Sequence, residues 1–144
     1  MLQITRNADG QIALPPMLRN ALWLVAAIDV IIGLHFVFGP ELDVTIWPSA
    51  IAPILMRFIG GIVVGSGLGA GLAAQQGTWE GARVIFTIAL GYGYIAFFGT
   101  LYHLINGDVK DSFWGYMIVV GLFSLPITYI YYTFEKAYRS GSKG

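Results

Sequence analysis

Four apolar runs decide what this chain can become: about Leu18–Phe38, Ile51–Ala74, Trp79–Ile105 and Phe113–Phe134. A helix needs about 20 residues to cross about 30 Å of hydrocarbon, and each run reaches that length. None shows the strict alternation of a barrel strand, and in lipid only helices or closed barrels satisfy their own backbone. Composition agrees. Of 144 residues 56% are hydrophobic and 11% charged, with a mean hydropathy of +0.69. A soluble core of this length does not hide so much apolar surface.

Turn-forming residues separate the runs: Gly39-Pro40 and Trp47-Pro48, then Gln75-Gln76-Gly77, then Asn106-Gly107-Asp108. Short connections favour antiparallel neighbours. The expectation is an all-α membrane protein, a single transmembrane domain over residues 1–144 built as an up-down-up-down four-transmembrane-helix bundle. Residues 1–17 read as a short N-terminal segment and 135–144 as a tail that frays. The first run follows Pro15-Pro16, a helix-starting pair, and ends without a small-residue cleavage pattern, so it reads as a retained span rather than a signal peptide.

Orientation follows from loop charge. Arg6, Arg19, Arg83, Lys136, Arg139 and Lys143 fall on the side of both termini, whereas Lys110 stands opposite with Glu41, Asp43, Asp108 and Asp111. By the positive-inside rule both termini are expected to be cytoplasmic. Trp23 and Trp79 then read as inner-interface anchors, and Trp47 and Trp114 as outer ones. Eight basic residues balance eight acidic ones, which leaves no basic field for nucleic acid. With no cysteine, thiolate metal sites, cysteine nucleophiles and disulfides are excluded.

The stretch Arg57–Gly71 carries six glycines and includes GSGLGAG. A phosphate loop needs a strand before it and free amides in water, and an apolar run offers neither. On a helix Gly61, Gly65 and Gly69 line one stripe, and Gly60, Gly67 and Gly71 another about a quarter-turn away. Both are small-xxx-small patterns of the kind that let helices pack closely. The alternative is that one stripe forms a groove for a ring system or an isoprenoid tail.

Polar groups within the spans need a reason. A carboxylate at mid-span, such as Asp29, costs about 2.5–3.5 kcal/mol on insertion scales. Arg57 is the expected partner: an antiparallel hairpin is expected to bring it within about 9 Å of Asp29 along the axis, forming a buried pair that sets register. The functional alternative is a proton- or cation-coupled site at Asp29. His35 and His103 lie near the same end of spans that run parallel, so they are candidate ligands for haem b or, singly, for a bacteriochlorophyll. The plainer reading is a hydrogen bond to interfacial water, a carboxylate or a carbonyl. Tyr92 and Tyr94 lie deep enough to need a partner or a cavity. Pro126 interrupts the backbone bonding of the fourth span.

The arrangement resembles the small DoxX-like four-helix membrane proteins and related uncharacterised four-span families. The residues that carry the resemblance are GLHFVFGP at the end of the first span, WPSAIAPILMRFIGGIVVGSGLGAGL into the second, and FFGTLYHLINGD closing the third. The resemblance implies a four-helix bundle in the bacterial inner membrane with little chemistry of its own, as in accessory subunits of membrane oxidoreductases. An acidic residue expected in the fourth span is missing from the run Phe113–Phe134.

No catalytic constellation is present, so the chain reads as a non-enzyme. The leading expectation is a small accessory subunit, embedded in the lipid bilayer, that packs against other membrane-protein subunits of a respiratory or photosynthetic complex and holds lipid, quinone or pigment. The alternatives are a haem- or pigment-binding electron-transfer or light-harvesting subunit using His35 and His103, and a small proton-coupled transporter using Asp29.

Overall fold

The computed structural model describes residues 4–39, 52–107 and 113–141. Trp47, Lys110, Lys143 and the acidic residues Glu41, Asp43, Asp108 and Asp111, on which part of the orientation argument rests, lie outside them. Four helices form in sequence order: α1 (Pro16–Phe38), α2 (Pro53–Gln76), α3 (Trp79–Asn106) and α4 (Phe113–Gly141). All four are long and apolar enough to cross a membrane. The protein is therefore all-α in its spans, a four-helix membrane-type fold.

Local chemistry explains the boundaries. Pro16 and Pro53 open α1 and α2, where a missing N–H costs nothing. Gly77, at φ +65°, ends α2 in the left-handed conformation, and Thr78 then caps α3 by accepting from the Gly81 N–H. One tight turn thus joins α2 to α3. The helix α4 does not end at Phe134. It continues to Gly141, so residues 135–141 of the segment expected to fray are helical.

Helix α1 packs along α2, and α3 along α4, while α2 meets α3 over a shorter stretch and α1 lies along neither α3 nor α4. Two helical hairpins are thus joined chiefly at one end. There the core gathers Leu18, Leu22 and Ala26 of α1, Ala70, Ala73 and Ala74 of α2, Trp79, Ala82 and Phe86 of α3, and Phe134 of α4.

A small β-hairpin covers that end. Strands β1 (Thr5–Arg6) and β2 (Ile12–Ala13) pair antiparallel. Asn7 shapes the turn, its side-chain oxygen accepting from the Asp9 and Gln11 amides, and Gly10 supplies the positive φ. Ile12 is fully buried and Leu14 nearly so. The Leu14 N–H donates to Gly77 O at 2.9 Å, the Ile12 N–H donates to the Glu80 carboxylate, and Arg6 reaches Ala137 O and lies over Gly141. The segment read from sequence as a plain N-terminal extension is a structured cap.

Candidate functional site

The two helical hairpins are held by different chemistry. In the α1–α2 seam backbones meet across glycine. A Cβ on Gly33 would lie 2.7 Å from Val64 N and 2.8 Å from Gly60 O, and one on Gly67 would lie 2.9 Å from Asp29 Cβ. Gly60, Gly67 and Gly71 therefore face α1, as one stripe was expected to face a neighbour. The other stripe faces elsewhere: a Cβ at Gly61 or Gly65 would meet nothing, and at Gly69 only Ile85 of α3.

The α3–α4 seam is bonded by side chains. The Tyr94 hydroxyl pairs with Thr128 Oγ1 at 2.7 Å, Tyr92 with Tyr116 at 3.2 Å, and Thr87 with Tyr131 at 3.4 Å. Both tyrosines thus have hydroxyl partners on α4, although their side chains are exposed. Around Pro126 the hydroxyls of Ser124 and Thr128 turn back onto the carbonyls of Val120 and Ser124.

At the capped end the seam closes on an ion cluster. Glu135, buried at 6% exposure, accepts from Arg83 at 2.8 Å, from Arg139 at 3.0 Å and from the Trp79 indole at 3.3 Å. Arg83 also stacks over Tyr138, 4.5 Å from the ring centroid. Glu135 stands one residue beyond the apolar run. Burial raises the affinity of its carboxyl for a proton, but the bonds from Arg139 and Trp79 and the charges of Arg83 and Arg139 outweigh this and hold it below the ordinary carboxylate range. Sequence reasoning missed this cluster. It placed Glu135 in a tail and Trp79 at the lipid interface, whereas Trp79 is fully buried. The signal available was the i, i+4 spacing of Glu135 and Arg139.

Asp29 and Arg57 are not brought together. Asp29 faces Gly67, where an added Cβ would lie 2.9 Å from the Asp29 Cβ. Arg57 lies ten residues from Gly67, about 15 Å along the helix, and its Nε donates to Val37 O at 3.3 Å. The expected register misplaced the pair because α1 and α2 cross where Gly33 meets Gly60 and Val64, which sets Asp29 nearer the capped end of α2.

His35 and His103 are both exposed, on α1 and α3, two helices that do not pack along each other. The structure therefore does not assemble them on facing helices as a bis-histidine pair. His103 borders a shallow groove of about 260 Å³ with Ala96, Gly99, Thr100 and Phe113. A larger groove of about 450 Å³ runs between α2 and α3, walled by Ile62, Leu72, Ile85 and Ile88, floored by Gly65 and Gly69, with Ser66 and Gln76 as its polar members. Among the described residues, no group of three or more histidine, aspartate or glutamate side chains is placed to hold a metal.

No protein-family model, curated protein or solved structure matches the chain.

Proposed function

We propose that the protein is a small integral subunit of a larger complex in a bacterial inner membrane, with both termini cytoplasmic, in line with its resemblance to DoxX-like proteins. The observation that carries this reading is the set of glycines that internal packing leaves unused: Gly61 on α2, Gly91 on α3 and Gly115 on α4 would each place a Cβ in open space. Glycine weakens a helix interior by about 1 kcal/mol relative to alanine. Within a bilayer that cost is offset where another backbone approaches closely. Neighbouring subunits supply such backbones.

Mild-detergent extraction followed by identification of co-purifying membrane chains tests this. A reproducible set of partners, lost in a Gly61→Leu, Gly91→Leu variant that keeps its thermal stability, supports it. A protein that purifies alone in every mild detergent overturns it.

A second reading is favoured by the groove at His103, where Gly99 and Ala96 clear a flat shelf beside the imidazole. It is a pigment subunit with a single histidine ligand. An absorption spectrum of the purified protein with a Soret or bacteriochlorophyll band that disappears in His103→Ala supports it, and the absence of any such band removes it.

A further inference from the structure

We infer that the capped end binds the headgroup of an anionic phospholipid, its phosphate bridged between Arg83 and Arg139 with Lys136 beside them.

The first observation is an excess of positive charge at one point. Arg83 and Arg139 both donate to the same oxygen of Glu135, at 2.8 Å and 3.0 Å, so two guanidinium groups share one carboxylate. The other Glu135 oxygen is taken by the Trp79 indole. The remaining charged groups nearby are employed differently: Arg6 and Arg19 turn to the carbonyls of Ala137 and Ala74, and Glu80 accepts the Ile12 amide. Lys136, one turn before Arg139 on α4, is exposed and makes no ion pair among the described residues. Three cations thus gather near a single carboxylate.

The second observation is the donors that remain. Arg139 reaches Glu135 through Nε, and its side chain is 73% exposed, which leaves its terminal amino groups to the surroundings. Arg83 is held both by Glu135 and by stacking over the Tyr138 ring, so its plane is fixed while 34% of the side chain stays exposed. A guanidinium carries a rigid fork of N–H donors that matches the oxygens of a phosphate.

The third observation is depth. Phe134 closes the apolar run, and Arg139 stands five residues beyond it, about 7 Å along the helix axis. The headgroup layer adds about 5–8 Å to each side of the hydrocarbon. The open donors therefore lie where lipid phosphates lie. An anionic lipid balances the excess charge, whereas a zwitterionic one brings its own cation along with its phosphate.

The test is native mass spectrometry of the full chain released from detergent micelles, titrated with phosphatidylglycerol and, separately, with phosphatidylcholine of the same acyl chains. The expected result is a first phosphatidylglycerol bound per chain at about tenfold lower concentration than phosphatidylcholine, the worth of one charge-assisted contact. Arg139→Gln removes that preference, and Lys136→Gln weakens it less. Arg57→Gln deletes the same charge at the far end of α2 and leaves the preference unchanged. Inorganic phosphate does not displace the lipid. Four results would each overturn the proposal: equal binding of the two lipids, equal losses in Arg139→Gln and Arg57→Gln, displacement by inorganic phosphate, or a preference that survives Arg139→Gln or, should that variant fail to fold, Lys136→Gln.

Discussion

The indole N–H of Trp79 donates to Glu135 across the start of α3 and the end of α4, with both side chains buried and Arg83 and Arg139 on the other carboxylate oxygen. Removing the carboxylate leaves an indole and a partly buried guanidinium without an acceptor. Glu135→Leu is expected to cost about 2–4 kcal/mol, discounted for the exposure of Arg83. Urea titration of the detergent-solubilised protein, followed by tryptophan fluorescence, measures it, and a cost below 1 kcal/mol would sink this account of the cluster.

The same carboxylate gives the protein a pH signature. Its folded value lies below its unfolded one, so its contribution is fully present above the ordinary carboxylate range near about 4.3 and is lost as pH falls through the folded value. Thermal midpoints of the wild type are expected to drop from pH 6 towards pH 3. Glu135→Gln flattens that slope, and parallel slopes in the two proteins would contradict the assignment.

The cap makes its own prediction. Ile12 is fully buried against residues of several helices, and its truncation to alanine is expected to cost about 2–4 kcal/mol. Limited proteolysis reports it directly, as faster cleavage between Arg6 and Leu14 without new cuts in the far halves of the helices.

Glycine substitutions separate the two stripes. Gly33→Ala and Gly67→Ala push a methyl into facing backbone or the Asp29 stem and are expected to destabilise the α1–α2 hairpin by about 1–3 kcal/mol. Gly61→Ala and Gly65→Ala meet open space and are expected to be neutral or slightly stabilising. Unfolding in mixed micelles across the four variants measures the contrast, and equal effects would mean that the seam has been misplaced.

Asp29 and Arg57 provide a test of register. A double-mutant cycle with Asp29→Asn and Arg57→Gln is expected to give a coupling within about 0.5 kcal/mol of zero, as for sites well separated in space. A coupling above 1 kcal/mol would restore the paired arrangement.

The span positions, the turn at Gly77 and the packing role of one glycine stripe can be read from local sequence because each depends on a few adjacent residues: apolar length, a left-handed glycine, a four-residue repeat. What the sequence could not convey depends on which residues meet from far apart. Glu135 looks like a tail residue until α4 is seen to run alongside Trp79 and Arg83. Asp29 and Arg57 look like a pair until the crossing at Gly33 sets the register. Thr5–Ala13 has too few apolar residues to announce a structured element, and Ile12 is buried only because four helix ends offer it a place.

The cap also links distant parts of the chain. Arg6 and its acceptor Ala137 are separated by 131 positions, and the acceptor for the Ile12 amide lies on α3. The cap strands precede all of these partners in the chain, so none of their bonds to the helices is local. The bonds of the cap therefore tie the segment before α1 to the α3–α4 hairpin, so a protease directed at residues 7–11 is expected to cut faster wherever the contacts to α3 and α4 have not formed.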